Sequence, residues 1–465
     1  MCRRLGGGME IMMDTSNKIV RYGLKQAFSY IEKNPEENMI KMMDWVDRLA
    51  GDNPDTLPLQ RKAVRKVLEN PDSSMHRLIL NVLKNTDVGI MKTFFENFFL
   101  NAAVTGWPEQ EKMRRKYGCN IPWAILMDPT SACNLHCTGC WAAEYGNKLN
   151  LTFDEMDSVI MQGKELGIYL YIYTGGEPLM RKQDLIALCR KHHDCMFLAF
   201  TNGTLIDEDF ADEMLEVKNL IPAISVEGSA EDTDSRRGKG AYQKVTDAMG
   251  LLRRKKIPFG ISCCYTAQNL DSVSSDAYFD QMIEWGAYFA WYFHYMPVGN
   301  HAALELLPTP PQREKMYRKI REVRSTKPLF VMDFQNDAEY VGGCIAGGRR
   351  YFHINAGGDC DPCVFIHYSN ANIRNHTLLE VLQSPVFMAY HSMQPFNENH
   401  LRPCPMLENP EMLRQMIAES GARSTDLQSP ESAEHLCAKC ASYAESWKQT
   451  AEKLWNEKNE NNEEN

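Results

Sequence analysis

Three closely spaced cysteines are the residues of this 465-residue chain best suited to metal chemistry. They lie in Cys133-Asn-Leu-His-Cys137-Thr-Gly-Cys140, directly after an apolar stretch and an Asp-Pro-Thr-Ser turn. Thiolates are soft ligands that suit iron–sulfur clusters, and three of them leave one iron of a cubane open to another molecule. The spacing therefore predicts a [4Fe–4S] cluster. A zinc ion is the alternative, although structural zinc normally takes four protein ligands and only His136, at an unsuitable spacing, is nearby.

A second motif, Gly175-Gly176-Glu177-Pro178, follows the next predicted strand. Two glycines let a backbone approach a bound ligand, and a glutamate can bond an ammonium group. Other polar residues lie at or after the ends of later predicted strands, namely Asn202, Ser225, Glu227 and Arg237, and Ser262 lies on the fifth predicted strand. Because active sites of parallel β/α folds lie at the carboxyl ends of the strands, these residues are predicted to share one site with the three cysteines.

On these motifs the sequence resembles the radical S-adenosylmethionine superfamily, whose CxxxCxxC motif is read at Cys133, Cys137 and Cys140 and whose GGEP motif is read at 175–178. The resemblance implies that the open iron chelates S-adenosylmethionine. It further implies that an electron from the cluster cleaves this cofactor to methionine and a 5'-deoxyadenosyl radical, which abstracts hydrogen from a substrate.

The resemblance also implies roles for the remaining polar residues. Gly175, Gly176, Glu177 and Pro178 would hold the methionine amino group, Glu227 would lie near the ribose, and Arg237 would meet the cofactor carboxylate. Asn202, Ser225 and Ser262 are implied as further cofactor contacts. Arg236 and Lys239 are equally well explained as a solvated basic turn.

The chain departs from the family at Gly139, because the position before the third cysteine is usually aromatic. Trp141 follows Cys140 instead, so the packing of the adenine is not predicted. No residue is assigned as the donor that quenches the product radical; Tyr292, Tyr295 and Cys264 are candidates without a preference among them.

A second group of cysteines lies towards the C-terminus. Family members with a C-terminal SPASM or twitch domain begin it with a cysteine, a glycine and another cysteine at a spacing that Cys344, Gly358 and Cys363 fit. The resemblance implies an auxiliary [4Fe–4S] cluster on Cys344, Cys363, Cys437 and Cys440, with Cys360 and Cys404 as rival ligands and Cys404 the stronger rival. A zinc ribbon made from Cys360, Cys363, Cys437 and Cys440 is the alternative.

The elements that position these residues are predicted from hydrophobic periodicity. Before Tyr117 the pattern is helical, with Leu24, Phe28 and Ile31 at helix spacing and another helix starting at Pro35. After Pro122 short apolar strands alternate with helical stretches, which is typical of β/α units around a parallel sheet. Strands are predicted over 123–127, 169–173, 197–201, 223–226, 259–265 and 289–295.

These strands predict an α/β fold with a partial (β/α)6 barrel, open on one side to a large substrate. The predicted organisation is a helical domain over 1–120, the partial barrel over 121–335, a cysteine-rich cluster domain over 336–445, and an acidic disordered tail over 446–465. The tail is rich in charged and polar residues, which is typical of a solvated chain end.

Composition excludes some classes of function. The formal net charge of −10 gives no electrostatic reason to bind nucleic acid. No stretch approaches the roughly 20 apolar residues that span a bilayer, and the fifteen cysteines suit metal ligation in a reducing compartment, so we expect a cytoplasmic protein.

The substrate is predicted by resemblance alone. SPASM and twitch extensions are common among enzymes that modify peptides and proteins, so a peptide or protein is the predicted substrate and a flavodoxin or ferredoxin the predicted electron donor. The apolar stretch 90–100, with four phenylalanines, either packs on the barrel or dips into a membrane surface, in which case the substrate is a lipid chain. A non-catalytic iron–sulfur or zinc redox sensor is the third hypothesis.

Overall fold

The computed structural model describes residues 35–50 and 58–463 of the chain. The helix predicted around Leu24, Phe28 and Ile31 lies outside these residues. The described part of the N-terminal region is helical, as predicted, and its first helix begins at Pro35. Its elements are α1 (Pro35–Ala50), α2 (Pro58–Leu68), α3 (Ser74–Asn85), α4 (Val88–Phe94), a π-helix (Phe95–Gly106) and α5 (Trp107–Tyr117).

A nine-stranded sheet forms the centre of the molecule, in the order β7-β6-β5-β4-β3-β2-β1-β8-β9. Each neighbouring pair from β7 to β8 is parallel, and β9 is antiparallel to β8. The strands are β1 (Ala124–Met127), β2 (Leu170–Tyr173), β3 (Met196–Thr201), β4 (Leu220–Ser225), β5 (Gly260–Tyr265), β6 (Phe289–His294), β7 (Phe330–Asp333), β8 (Tyr351–Ile354) and β9 (Cys360–Asp361).

Helices connect successive parallel strands, which is the architecture of a partial barrel. They are α6 (Phe153–Glu165), α7 (Lys182–Lys191), α8 (Glu208–Val217), α9 (Ala230–Arg237), α10 (Ala241–Arg254), α11 (Leu270–Val273), α12 (Asp276–Trp285) and α13 (Pro310–Thr326). Thr152 and Glu155 form a capping box at the start of α6, so the chain itself specifies where that helix begins.

The sheet contains two parallel strands beyond the six predicted. β7 lies at the edge of the sheet, and its first residue, Phe330, is exposed, so it shows no simple apolar pattern. β8 lies in the region predicted as a separate cysteine-rich domain, yet Ala124 of β1 pairs with Tyr351 of β8. β7 and β9 stand at opposite ends of the strand order, so the barrel is partial.

The N-terminal helical region lies along the N-terminal ends of the strands. Asn97 donates to the backbone oxygens of His193 and Cys195, just before β3, and Gln110 donates to Gly167, just before β2. Asp87 donates its backbone N–H to Lys256, before β5. The cysteine motif follows the opposite end of β1, so this region and the three cysteines lie at opposite ends of the sheet.

The phenylalanine-rich stretch packs on the barrel, although it is not wholly buried. Phe94 and Phe98 pack against the main hydrophobic core, and the Phe98 ring meets the Trp123 ring at a centroid distance of 5.3 Å. Phe99 is exposed. Within the described residues, no helix combines the length and apolar character needed to cross a membrane.

The C-terminal region consists of short elements and one long helix, which packs against α13. Its elements are α14 (Ala338–Val341), β10 (Tyr368–Ser369), α15 (Leu378–Leu382), α16 (Pro385–Met393), α17 (Pro410–Ser420), β11 (Arg423–Ser424) and α18 (Ala433–Glu463).

The disordered tail predicted over 446–465 is wrong for the described residues, because α18 continues through Glu463. Trp447 and Leu454 are buried in the main core, and the Trp447 indole N–H donates to the Leu401 backbone oxygen at 2.8 Å. The Arg313 guanidinium lies 4.1 Å from the centre of the Trp447 ring. Sparse apolar residues at helix spacing therefore anchor a helix whose overall composition is polar.

Candidate functional site

The cysteine loop and the glycine motif are held together by backbone hydrogen bonds. Gly176 and Glu177 donate their backbone N–H groups to the oxygens of Thr130 (3.0 Å) and Ala132 (2.8 Å). A Cβ atom at Gly176 would lie 2.2 Å from the Ala132 oxygen, so only glycine allows this approach. The motif that the sequence places after β2 therefore shapes the loop that carries Cys133, Cys137 and Cys140.

Glu177 is buried, and its carboxylate accepts hydrogen bonds from other groups of this chain. It accepts hydrogen bonds from the Thr201 hydroxyl (2.6 Å), the Asn202 backbone N–H (2.7 Å) and the Leu179 backbone N–H (3.0 Å). Burial raises the pKa of this carboxyl, and these donors partly offset the rise. Glu177 thus ties the glycine motif to the end of β3, a role that the sequence did not predict.

Asn202 and Arg237 both point at the cysteine loop. The Asn202 amide nitrogen lies 2.8 Å from the Asn134 side-chain oxygen and 4.0 Å from the Cys133 sulfur. A nitrogen of Arg237 lies 4.0 Å from the Cys137 sulfur. Two residues predicted to contact the cofactor are therefore brought to the same loop.

Glu227 forms a buried ion pair with two arginines. Its oxygens accept from Arg236 at 2.7 Å and from Arg237 at 2.6 and 2.5 Å. Burial alone would raise the pKa of the Glu227 carboxyl, but the charges of Arg237 and Arg236 bring it below its usual value. In this structure, therefore, the Glu227 carboxylate, implied by resemblance to lie near a ribose, and the Arg237 guanidinium, implied to meet a carboxylate, bond to each other.

Arg236 is part of the same arrangement. It pairs with Glu227, and its backbone oxygen accepts from the Thr138 N–H, inside the cysteine loop, at 2.9 Å. The solvated-turn interpretation of Arg236 is therefore wrong. The sequence signal that could have identified it is the Arg236-Arg237 pair at the C-terminal end of α9, after a glutamate at the end of β4.

Ser225 and Ser262 are neighbours across β4 and β5, where the pairing register places them side by side. Both are partly exposed at strand positions whose neighbours are buried. Successive side chains of a strand point to opposite faces, so these hydroxyls face the barrel interior.

Aromatic rings line the interior of the barrel. Phe200 of β3 lies 5.4 Å from Trp291 and 5.5 Å from Phe293, both on β6, measured between ring centres. Because β4 and β5 separate these strands in the sheet, the rings meet across the interior. All three rings are partly exposed. The interior surface is thus apolar and aromatic below the polar residues at the strand ends.

Gly139 has a positive φ of +67°. The space that a side chain would take at this position is occupied by another residue. A Cβ atom there would lie 2.6 Å from the Tyr295 ring, which follows β6. The Tyr295 hydroxyl accepts from the Ala303 backbone N–H at 3.0 Å. The space beside Gly139 is therefore filled by a buried ring from a different loop.

The three cysteines suit a [4Fe–4S] cluster with one open iron. All are partly exposed at the end of β1, and the sulfur of Cys133 accepts from the Leu135 backbone N–H at 3.4 Å. Burial raises the pKa of the Cys133 thiol to about 11, and burial also raises the pKa of Cys137, while Arg237 and Arg236 lower it. Positive charge beside Cys137 favours the thiolate form that binds iron.

Within residues 35–50 and 58–463, no three histidine, cysteine or acidic side chains converge on the space of a single metal ion. In a cubane, each iron takes its own ligand, so the thiolates are spread over separate corners of the cluster.

The C-terminal cysteines fall into separate surroundings. Burial raises the pKa of the Cys404 thiol far above its usual value, and negative charge on Glu408, Cys344 and Cys363 adds to the rise. Cys437 instead donates from its sulfur to the Pro410 backbone oxygen at 2.9 Å.

A buried polar network lies beside the cysteine loop. His353 of β8 lies 3.0 Å from a carboxylate oxygen of Asp128 and 3.4 Å from one of Asp361. The Tyr145 hydroxyl also donates to Asp361, at 3.0 Å. The Trp141 ring, next to Cys140, lies 5.7 Å from the His353 ring. The network thus joins β1, β8 and β9 under the loop.

One known family matches the part of the chain that carries these motifs. Residues 127–275 match the Radical SAM superfamily. This stretch contains the three cysteines, the glycine motif and the strand-end residues through Ser262.

Two relatives illustrate the range of characterised proteins that the chain is similar to. One is an AdoMet-dependent heme synthase of Methanosarcina barkeri, 25% identical over 57% of this chain and 83% of that protein. Another is a PqqA peptide cyclase of Bradyrhizobium diazoefficiens, 26% identical over 52% of this chain and 67% of that protein.

Among solved structures, the fold is similar to that of Streptococcus suis SuiB bound to the precursor peptide SuiA. The TM-score is 0.54 at 17% identity, and the likeness covers 70% of this chain and 79% of that one. At this identity the likeness shows the fold alone.

Proposed function

We propose that this chain is an S-adenosylmethionine-dependent enzyme of the radical S-adenosylmethionine superfamily, and that it abstracts hydrogen from a peptide or protein substrate. The observation that carries the proposal is the position of three thiols at the strand ends of an open barrel whose interior is aromatic. The enzymatic assignment replaces the non-catalytic sensor considered from the sequence.

The residues around the thiols hold the site in shape. When bound, a [4Fe–4S] cluster on Cys133, Cys137 and Cys140 supplies the electron that cleaves S-adenosylmethionine. Glu177 fixes the glycine motif, while the Arg236 backbone oxygen and the Arg237 guanidinium contact the cysteine loop at Thr138 and Cys137. The backbone of 175–178, with the strand-end side chains Asn202, Ser225 and Ser262, is left to bind the cofactor.

A peptide substrate is supported by two observations. The chain is similar to a protein named as a peptide cyclase, and to the fold of SuiB, which was solved with a precursor peptide. The partly exposed rings of Phe200, Trp291 and Phe293 would pack against an apolar or aromatic side chain of such a substrate.

A planar macrocycle is the second candidate substrate. The chain is also similar to a protein named as a heme synthase, and the same aromatic interior suits a flat apolar ring. The lipid hypothesis finds less support, because the phenylalanine-rich stretch lies at the end of the sheet opposite the cysteines.

We further propose an auxiliary [4Fe–4S] cluster in the C-terminal region, on cysteines that include Cys344 and Cys363. A flavodoxin or ferredoxin as electron donor and a cytoplasmic location remain predictions from the sequence.

The test uses the anaerobically reconstituted full chain with dithionite and S-adenosylmethionine. Synthetic peptides deuterated on their side chains, and a deuterated iron porphyrin, are supplied separately. We expect deuterium in the released 5'-deoxyadenosine with peptides, and none with the Cys133→Ala variant. Deuterium from the porphyrin but from no peptide would replace the peptide proposal with the second candidate.

A further inference from the structure

Two large apolar side chains are exposed directly before one of the C-terminal cysteines. Tyr340 and Val341, the last residues of α14, are 64% and 41% exposed. Gly342 and Gly343 follow with φ of +72° and +101°, a backbone conformation that favours glycine. This tight turn leads into Cys344, which is partly exposed.

Guanidinium groups surround this turn. Those of Arg321 and Arg324 each lie 5.7 Å from the centre of the Tyr340 ring. The Arg349 side chain donates to the backbone oxygens of the residues on either side of the two glycines, at 2.7 and 2.8 Å. The exposed apolar side chains are therefore bordered by positive charge on several sides.

The carboxylates that pair with these cations lie beneath them. Glu339 pairs with Arg321 and Lys458, and its side chain is 1% exposed whereas theirs are 20% and 32% exposed. Arg324 pairs with Asp337. The charge that faces outward here is therefore positive, although the chain as a whole has a formal net charge of −10.

The positive charge continues from Arg349 towards α5. The bonds of the Arg349 side chain go to backbone oxygens, so its charge is not neutralised by an ion pair within the described residues. The next residue, Arg350, lies 4.7 Å from the centre of the Trp107 ring, and Arg114, which pairs with Glu111, lies 5.0 Å from it. Two further exposed basic residues end α5, namely Arg115 and Lys116.

Tyr340, Val341 and the guanidinium groups of Arg321, Arg324 and Arg349 form one surface, the Tyr340 surface. Tyrosine and arginine are enriched in protein interfaces, and an exposed apolar centre with a polar rim is typical of a binding surface. Complementary charge steers association and fixes the orientation of a partner. The outward positive charge of the Tyr340 surface therefore fits an acidic protein.

The position of the Tyr340 surface indicates the kind of acidic protein. Cys344 is one of the cysteines proposed to bind the auxiliary cluster, and its backbone oxygen accepts from Arg349. Cys363, the other cysteine named there, is buried, whereas Cys344 is partly exposed. A protein bound to the Tyr340 surface lies beside Cys344, which suits a carrier of electrons.

We propose that the Tyr340 surface binds an acidic electron-carrier protein and holds its redox group beside Cys344. The inference rests on the auxiliary cluster of the proposed function and names the place where the predicted electron donor binds. The transfer moves one electron, by which the carrier is oxidised and an iron–sulfur group is reduced, so no bond forms or breaks.

The first measurement is binding of a flavodoxin of negative net charge to the anaerobically reconstituted full chain. We expect binding at low salt that weakens as salt is raised, because salt screens exposed charges. Arg349→Glu should weaken binding about tenfold or more, since it places like charges opposite each other. Tyr340→Ala should also weaken it, whereas Lys244→Glu, which reverses an exposed charge on α10, is the matched control and should bind as the parent does.

The second measurement compares two reductants. With reduced flavodoxin, we expect Arg349→Glu and Tyr340→Ala to release 5'-deoxyadenosine more slowly than the parent. With dithionite, a small reductant that needs no docking surface, both variants should match the parent. Equal iron content in parent and variants shows that neither substitution acts through loss of a cluster.

Equal affinity for flavodoxin in the parent, Arg349→Glu and Tyr340→Ala would overturn the docking proposal. The iron content of Cys344→Ala tests the auxiliary cluster separately, and a value equal to that of the parent would remove the reason for placing a carrier beside Cys344. Neither binding nor iron content requires a substrate, so a failure here is distinct from a failure of the peptide proposal.

Discussion

At the scale of single residues, the small side of the cysteine loop at Gly139 is matched by a large side chain at Tyr295. Gly139 leaves a gap beside Cys140, and Tyr295 fills that gap from the loop after β6. Tyr295 is only 2% exposed, so its ring supports the cysteine loop from within the core. We therefore expect Tyr295 to position the cysteine loop.

Tyr295→Ala tests this role. Because removing a buried aromatic side chain leaves a cavity that costs about 3–5 kcal/mol, we expect Tyr295→Ala to lower the iron content of the reconstituted protein and with it the release of 5'-deoxyadenosine. Tyr295→Phe should retain near-normal values, since the ring remains. Phe99→Ala, on an exposed surface, is the matched control. Unchanged iron content in Tyr295→Ala would contradict the assignment.

Ion pairing explains why the roles of the charged residues near the cysteine loop could be predicted only in part from the sequence. The sequence places Glu227, Arg236 and Arg237 within one short segment, which is enough to predict that they lie near the cysteines. It does not tell whether the charges pair with each other or with a ligand, because that depends on burial in the folded chain. The fully buried Glu227 pairs with both arginines.

At the scale of secondary structure, β8 completes the site from a distant part of the chain. Its His353 lies between Asp128, after β1, and Asp361 of β9. Burial alone would lower the pKa of His353, but the two carboxylates raise it to about 9. The charged imidazole therefore holds three strands together under the cysteine loop.

Stability should consequently depend on pH through His353. A raised pKa in the folded protein means that the contribution is complete below the ordinary histidine pKa of about 6.5 and is lost as pH rises through about 9. We expect the thermal unfolding midpoint to fall between pH 6.5 and 9.5, by an amount equivalent to about 1–3 kcal/mol.

Two variants check the origin of this pH effect. His353→Gln should be less stable than the parent at pH 6.5 and should show a smaller decrease towards pH 9.5. His193→Gln, with an exposed histidine, should follow the parent. Equal pH dependence in His353→Gln and the parent would rule out the charged imidazole as its source.

Periodicity predicted the six strands that follow one another as β/α units but missed β7 and β8. Those six are bounded by helices with clear apolar faces, so the local pattern is sufficient. β8 follows Gly347, Gly348 and two arginines, without a preceding helix of that kind, and pairs with β1, far back in the chain. Such long-range pairing leaves little local signal.

At the scale of the whole molecule, α18 ties the end of the chain to the barrel. Tyr443 contacts His294 of β6, with the hydroxyl 2.7 Å from the imidazole nitrogen. Trp447 packs under Arg313 of α13 and bonds to Leu401. The polar composition of 446–465 hid this helix, because only a few of its residues carry the packing.

Trp447→Ala should therefore destabilise the full protein. Removing a fully buried tryptophan from a packed core costs about 3–5 kcal/mol. Denaturant unfolding followed by circular dichroism measures the loss. Glu460→Ala, at an exposed position of the same helix, should change stability by less than about 0.5 kcal/mol. A Trp447→Ala variant as stable as Glu460→Ala would show that the helix is dispensable.

The N-terminal helices, which lie beside the N-terminal ends of the strands, limit the directions from which a substrate can enter the barrel. Asp87, Asn97 and Gln110 attach this segment under β5, β3 and β2, so the barrel is backed at that end and approached from the other. A substrate that enters from the cysteine end therefore reaches the three thiols without displacing the N-terminal helices.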